Sequence, residues 1–198
     1  HPAEGVAPLS LMQAAMLAWG REAAGAPEAA EVIQWRRTMH ARMRCVGLQL
    51  DFERSRDSDE VLIKVTAPDA VLEATAERLR LRKVLRDGTQ RRSFTRATKE
   101  LFEPASADHF FASSERIRLL IALIEAEQPD GGCAIELEKE LSKGHLSAVV
   151  PMHQPDDPNL SDLEQTWLLQ PLSLAPTLPL CGIRDYFGEE LAFYFAFL

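Results

Sequence analysis

The chain of 198 residues has three cysteines, an odd number, and they are widely spaced: Cys45, Cys133 and Cys181. It contains no CxxC pair, which excludes a disulfide framework and a recognisable zinc site and fits a reducing compartment. It also lacks any run of the roughly 20 apolar residues that a membrane-spanning helix needs. With 46% hydrophobic and 26% charged residues, the composition is that of a globular domain.

Motifs of common catalytic and nucleotide-binding sites are absent, because GxGxxG, GxxxxGK[ST], GxSxG and HExxH do not occur. His153 with Asp156 and Asp157 comes nearest to an acid–base cluster, but a turn held by proline and aspartate explains it better. Cys45 is expected to be a small core residue, and Cys133 follows a Gly-Gly turn where a thiolate would gain only weak support. We therefore assign no catalytic, cofactor-binding or metal-binding residue and expect a protein that is not an enzyme.

Positive charge is scarce in the second half of the chain, where residues 101–198 carry 5 Lys/Arg against 16 Asp/Glu. The first 100 residues carry 17 against 14, and nine of these basic residues fall between Arg78 and Lys99 beside one acid, Asp87. A solvated helix end and loop explains this stretch, and contact of Arg78–Lys99 with anionic lipid is the alternative. Phe94 is its one aromatic residue and the net charge of the chain is −8, so we expect no nucleic acid partner.

Apolar periodicity predicts helices and strands in alternation. The predicted helices cover 9–19, 31–44, 66–81, 133–143 and 160–167, with one more helix capped by Ser113 or Ser114. The predicted strands cover 46–52 and 60–66, which form an antiparallel pair, and 146–150. Residues 82–104 are expected to form a loop with one short strand near 92–95.

Two of these helices have a predicted orientation. In the helix at 31–44 the buried stripe is Val32, Trp35, Met39 and Met43, whereas Arg36, Arg37, His40 and Arg44 face water. In the helix at 66–81 the expected N-cap is Thr66, and the buried face includes Leu72, Ala76 and Leu79.

The order of elements predicts an α+β fold, a ferredoxin-like sandwich with a small antiparallel sheet and helices on one face. We divide the chain into an Ala-rich extension and linker (1–30), a ferredoxin-like domain (31–180) and a terminal apolar segment (181–198). The last eight residues are all apolar or aromatic, as in the first turns of a longer hydrophobic helix; a terminal helix docked on the core is the alternative. This fold hosts many unrelated functions, so it indicates none by itself.

The stretch 183–198 resembles the motif with which the anoctamin family passes from its cytosolic N-terminal region into the first transmembrane helix. The positions that fit are Ile183, Tyr186, Phe187, Gly188, Glu189, Ala192, Tyr194, Phe195 and Leu198. Three further stretches agree with that family in order: 62–79, Phe110-Phe111 with Arg116, and 144–153 with Trp167. The resemblance covers residues 35–198, although Val150 stands where the family usually has an aromatic residue and residues 82–104 match loosely.

The resemblance implies the cytosolic N-terminal dimerisation and regulatory domain of a calcium-activated chloride channel, a phospholipid scramblase or both. It implies a homodimer of the full-length protein, located in the plasma membrane or endoplasmic reticulum through the segment after Leu198, with this domain on the cytoplasmic side. Calcium ligands are expected in that transmembrane part, so no cofactor is expected in this segment. A free-standing ferredoxin-like module that binds a small ligand or a protein is the alternative. Channel or scramblase activity, the subfamily, dimerisation of the isolated domain and the role of residues 1–30 stay open.

Overall fold

The structure of the protein is a computed structural model that describes residues 14–19, 30–54, 56, 61–88, 90–106, 109–152, 158–168 and 179–197. The strands are β1 (Ala14–Trp19), β2 (Gln49–Arg54), β3 (Val61–Thr66), β4 (Arg82–Val84), β5 (Arg91–Ser93) and β6 (Ala148–Pro151). The α-helices are α1 (Ala30–Cys45), α2 (Asp69–Arg78), α3 (Ser113–Glu125), α4 (Leu137–Ser142), α5 (Pro158–Leu163), α6 (Leu180–Phe187) and α7 (Glu189–Ala196). Short 3-10 helices cover Arg96–Leu101 and Gln128–Asp130, and a π-helical turn covers Glu164–Leu168.

Four strands form an antiparallel sheet in the order β2-β3-β1-β6. Leu17 in the inner strand β1 lies opposite Ile63 of β3 on one side and Val149 of β6 on the other. The first strand therefore lies between the third and the last, which is the strand order of the ferredoxin-like β-α-β-β-α-β arrangement. The α+β prediction and the predicted pairing of β2 with β3 are confirmed.

The core lies between one face of this sheet and the helices. Ile63 and Val65, two residues apart on β3, are fully buried, as period-two alternation requires of one sheet face. Met39 and Met43 of α1 are buried in the same cluster, whereas Trp35 is half-buried. Other members come from α2 and α3, so the main helices and the sheet share one core.

The stripe predicted for α1 is confirmed at its centre and differs at its edges. Arg36 and His40, predicted to face water, are half-buried. His40 packs its ring 5.6 Å from that of Phe52, an apolar residue of β2 that is 47% exposed. Phe52 is therefore partly exposed at the edge of the sheet, where its ring contacts that of His40.

The prediction of a helix at 9–19 is wrong over residues 14–19, which form the inner strand β1. The sequence of this segment suits a helix, but a strand here is hydrogen-bonded on both sides, to β3 and to β6. Tertiary pairing therefore overrides local propensity. The domain boundaries drawn from sequence stay a prediction, and the sheet includes these residues of the segment assigned to the extension.

Helix α2 begins later and ends earlier than predicted. Its N-cap is Pro68 instead of Thr66, because Thr66 is still part of β3, where its hydroxyl lies 3.4 Å from the side-chain oxygen of Gln49. Leu72 is buried as predicted, whereas Leu79 is 49% exposed because the helix ends at Arg78 and the chain turns away.

Residues 82–104, predicted to form a loop with one short strand, contain two strands and a 3-10 helix. Strands β4 and β5 pair as an antiparallel hairpin, and Phe102, after the helix, forms an isolated bridge with Leu85. These three-residue strands contain few apolar residues, so the sequence gives no strand pattern for them. Their pairing depends on the side chains that pack beneath the hairpin.

Three predicted boundaries in the second half change. Helix α3 has Ala112 as its N-cap instead of Ser113 or Ser114, and the N–H of Ala112 donates to Glu115 Oε2 at 3.1 Å. Helix α4 begins at Leu137 instead of residue 133, and the strand predicted at 146–150 covers Ala148–Pro151. The helix predicted at 160–167 is confirmed as α5 and the π-helical turn that follows it.

The apolar segment at the end of the chain forms α6 and α7, which are separated at Gly188. The φ of Gly188 is +102°, a backbone conformation that residues other than glycine rarely adopt. The glycine therefore permits the break between the two helices. Among the residues that the structure describes, every helix is too short or too polar to span a bilayer.

Candidate functional site

The hairpin of β4 and β5 concentrates the positive charge of the chain. Arg82, Lys83 and Val84 lie opposite Ser93, Arg92 and Arg91, respectively. We define the arginine surface as five exposed arginines in and beside the hairpin, namely Arg80, Arg82, Arg86, Arg91 and Arg92; Arg96 is also exposed but is paired with Glu77 and is not included. Like charges opposite each other weaken a strand pair, so this short hairpin needs support from elsewhere.

Three other basic side chains of the stretch provide that support through ion pairs with neighbouring helices. The pairs are Lys83 Nζ with Glu115 Oε2 at 2.8 Å, Arg96 Nε with Glu77 Oε2 at 2.8 Å, and Lys99 Nζ with Glu73 Oε1 at 2.6 Å. Arg96 also lowers the pKa of the Glu77 carboxyl through hydrogen bonds from its side chain and its backbone N–H. The hairpin and the 3-10 helix are thereby attached to α2 and to the first turn of α3.

An aromatic cluster lies beneath the hairpin. Phe94 has ring centroids 5.5, 5.3 and 5.6 Å from those of Phe102, Phe110 and Phe111. The Nζ of Lys83 lies 5.1 Å from the centroid of Phe110 and 5.4 Å from that of Phe111, within the range of cation–π attraction. Lys83 is 7% exposed, so its charge is stabilised by two rings and one carboxylate in place of water.

The arginine surface has no comparable partners. Within the described ranges of the chain, no carboxylate forms an ion pair with any of its five arginines. Arg82 Nη2 donates to the carbonyl of Arg91 at 3.3 Å, and Arg86 Nε donates to that of Phe102 at 3.2 Å. Their remaining donors face solvent, which makes this surface a candidate site for an anion.

An open groove of about 460 Å³ borders the arginine surface. Its walls include Arg86 and Arg92, but also the carboxylates of Asp87 and Glu100. The charges of these four side chains cancel, so the groove itself does not favour a free anion. The outer side of the hairpin is the more positive part of the region.

A second polar cluster joins α4 to α1. Glu140 is buried, with its carboxylate 2.7 Å from Nδ1 of His145 and 3.0 Å from Nζ of Lys143. Burial raises the pKa of this carboxyl, but the hydrogen bonds from His145 and Lys143 outweigh burial and hold the pKa below its usual value. The His145 ring packs 4.8 Å from Trp35 of α1. This arrangement orders the chain before β6 and contains no nucleophile.

Helices α6 and α7 differ in how they are buried. In α6, Ile183 and Tyr186 are buried against Leu163 of α5, and the hydroxyl of Ser114 donates to the carbonyl of Asp185 at 3.2 Å. In α7, Phe195 is half-buried against the same cluster, whereas Phe193 and Tyr194 are exposed, as is Phe197 directly after the helix. The first helix of the pair is thus docked on the domain, whereas the second presents an apolar surface.

The residues that the sequence offered for chemistry do not form a site among the described residues. Cys45, predicted to be a core residue, is exposed at the end of α1, and Cys133 is buried in a turn before α4. Burial raises the pKa of the Cys133 thiol to about 12, so a thiolate there is not supported. His153, Asp156 and Asp157 lie outside the described residues. Over the described ranges no group of three or more metal-ligating side chains occurs.

Sequence reasoning missed the Lys83–Glu115 pair, which is the most buried ion pair of the basic region. A lysine between arginines in a stretch without periodicity gives no signal of burial. The one available hint was the predicted helix beginning near Ser113 and Ser114, since an acid in a first turn such as Glu115 is a usual partner for a cation or a backbone N–H.

Comparison with known proteins gives two matches. The profile of the anoctamin dimerisation domain matches residues 15–96, which run from β1 to the beginning of the 3-10 helix after the hairpin. Human Anoctamin-5 is 25% identical over 215 aligned positions, which cover 82% of this chain and 23% of that protein. The chain therefore spans less than a quarter of the length of this relative.

The two matches differ in extent, since one is confined to the first half of the chain and the other extends over most of it. They agree with the Tyr186-Phe187-Gly188-Glu189 motif, which lies outside the matched dimerisation domain. Residues 15–96 are therefore similar to the dimerisation domain of anoctamins, and most of the chain is similar to Anoctamin-5.

Proposed function

We propose that this chain is the cytosolic N-terminal dimerisation and regulatory domain of an anoctamin-like calcium-activated chloride channel, phospholipid scramblase or both. The observation that carries the proposal is the match of residues 15–96 to the anoctamin dimerisation domain, together with the ferredoxin-like order of the sheet that β1, β2 and β3 of this region form with β6. Because the chain covers 23% of Anoctamin-5, the membrane-embedded activity belongs in this proposal to sequence beyond Leu198.

Calcium, in the same proposal, binds in the transmembrane part and not in this domain. The carboxylates of the basic region support that division, because Glu73, Glu77 and Glu115 are already paired with cations of their own chain. In this proposal the domain assembles the homodimer and lies in the cytoplasm beneath the membrane.

The experiment that tests the proposal begins with the native polypeptide. An antibody against this segment is used to blot membrane and soluble fractions, and the full-length protein is then reconstituted in liposomes. We expect a band several times 22 kDa that only detergent releases, and calcium-dependent lipid scrambling or chloride flux that empty liposomes lack. A folded, membrane-inserted protein without either activity refutes the activity, and a soluble band near 22 kDa refutes the membrane attachment.

The second candidate, a free-standing binding module, is favoured by the docking of α6 on its own domain. Ile183 is fully buried and Asp185 accepts the hydrogen bond from Ser114. The exposed apolar side chains of α7 and of the residue after it argue against it, since a free-standing protein gains nothing from presenting Phe193 and Phe197 to water. The fractionation above separates the two candidates.

We further propose that the arginine surface contacts anionic lipid headgroups. Its unpaired arginines support this, since each basic side chain near an anionic membrane contributes about 1 kcal/mol, or roughly 5-fold in binding. Sedimentation with phosphatidylserine vesicles should fall by that factor for each of Arg82→Gln, Arg91→Gln and Arg92→Gln. The matched control is Arg96→Gln, whose charge Glu77 already balances. Binding that is insensitive to salt and to phosphatidylserine content refutes the contact.

A further inference from the structure

One hydroxyl group lies within the arginine surface. Ser93 is the last residue of β5, is exposed, and lies directly opposite Arg82 of β4. Residues opposite each other in an antiparallel pair share a face, and residues two apart on a strand share it as well. Arg82, Arg91 and Ser93 are therefore on one face, with Ser93 directly opposite Arg82 and two residues from Arg91.

The described residues of this face carry no negative charge. Arg82 already extends across the hairpin to the carbonyl of Arg91 at 3.3 Å, so its guanidinium lies over β5. In the described part of the chain neither arginine has a carboxylate partner, in contrast to Lys83 and Lys99 on the side toward α2 and α3. A group with two negative charges attached at Ser93 would supply the missing counter-charge to both arginines.

We propose that Ser93 is a phosphorylation site whose phosphate is bound within the hairpin by Arg82 and Arg91. In the reaction Ser93 Oγ attacks the γ-phosphorus of ATP, the bond from that phosphorus to the β–γ bridging oxygen breaks, ADP leaves, and the serine proton is released. The enzyme is a serine kinase with an acidic substrate cleft, because Arg91 and Arg92 directly precede the serine. In the described part of the chain β5 pairs with β4 and with no other strand, and the side chain of Ser93 is exposed.

Phosphorylation also changes the surface as a whole. A phosphate carries a charge of about −2 and cancels roughly two of the five arginines. If the arginine surface contacts anionic headgroups as proposed above, phosphorylation weakens vesicle binding roughly thirty-fold. This consequence depends on the proposed lipid contact, whereas binding of the phosphate by Arg82 and Arg91 does not.

The test places phosphoserine at position 93 of the whole chain by genetic encoding, with phosphoserine at Ser161 as the matched control. Ser161 is also exposed, but it lies on α5 and is followed by Asp162. Phosphorus NMR then follows the second ionisation of each phosphate against pH. Because nearby cations favour the dianion, we expect a proton affinity about tenfold lower or more at Ser93 than at Ser161. The difference should shrink in the Arg82→Gln, Arg91→Gln double variant, in which Arg92 stays beside the serine and Asp162 beside the control, and should persist unchanged in Arg118→Gln, which removes an exposed arginine of α3.

Equal proton affinities at the two positions overturn the proposal. So does failure of a basic-directed kinase to modify the folded chain at Ser93 when it modifies a peptide of residues 86–97. Vesicle binding of the phosphorylated chain is measured separately. If the phosphate is bound by the arginines but vesicle binding is unchanged, the lipid contact is wrong and the phosphorylation site remains supported.

Discussion

Replacement of Lys83 by methionine tests how the hairpin is attached to the rest of the domain. Lys83→Met keeps an unbranched apolar side chain, one atom shorter, beside Phe110 and Phe111, and removes the charged amine. Glu115, 26% exposed, then loses its lysine partner and keeps the hydrogen bond from the N–H of Ala112. The variant therefore isolates the charge pair and the cation–π attraction.

The magnitude follows from burial. Breaking a fully buried pair by removing one partner costs about 3–5 kcal/mol. Because water reaches part of Glu115, we expect about 2–3 kcal/mol, including the lost cation–π attraction. For a chain of this size that corresponds to a fall in Tm of about 5–10 °C. The exposed pair of Lys139 and Glu136 provides the control, and Lys139→Met should cost about 0.5 kcal/mol or less.

The assay is urea unfolding followed by circular dichroism, for Lys83→Met, Glu115→Gln and the double variant. The two single changes should be non-additive, with a coupling of about 1–2 kcal/mol between them. A Lys83→Met variant that unfolds at the same urea concentration as Lys139→Met, or a double variant whose loss equals the sum of the single losses, refutes the proposed attachment.

Three more predictions concern other parts of the chain. A Cβ at Gly132 would overlap the backbone carbonyl of Ala126, so Gly132→Ala should lower the free energy of unfolding by about 3 kcal/mol. The surroundings of Gly88 are open, so Gly88→Ala should lower it by about 1 kcal/mol, and thermal unfolding measures both variants. The pKa of Glu140 is held below its usual value of 4.5, so its charged hydrogen bonds stabilise the fold above about pH 4.5 and lose this effect as the pH falls below it. Glu140→Gln should therefore cost about 1 kcal/mol at pH 7, and the difference from the parent chain should shrink in unfolding experiments on acidification. A thiol reagent should modify the two exposed cysteines of the native chain, and Cys133, buried and with a pKa of about 12, only after denaturant is added; immediate reaction of all three contradicts its burial.

Helices with a strong apolar period were predictable because their burial follows from local spacing. The centre of α1 is an example, since Met39 and Met43 recur at the helical interval and both are buried. The antiparallel pairing of β2 with β3 was predictable for the same reason, as two short alternating segments follow each other closely in the chain. The α+β class follows from these local elements.

The inner strand β1 was not predictable, because its six residues carry no alternation of polar and apolar side chains. The structure places it between β3 and β6, where it is paired along both edges. The segment from Arg82 to Ser93 is similar, since nothing in a run of basic residues indicates that two strands of it pair above an aromatic cluster. In both cases the conformation is selected by hydrogen bonds and packing with residues distant in the chain.

The candidate site shows the same division. The sequence by itself determined that positive charge concentrates between Arg78 and Lys99, that recognisable catalytic motifs are missing, and that 183–198 resembles the anoctamin motif, because these properties belong to composition and spacing. Only the tertiary structure decided which basic side chains form ion pairs with carboxylates and which have none. That depends on where Glu73, Glu77 and Glu115 of two separate helices come to lie, which is a matter of helix packing and not of neighbouring sequence.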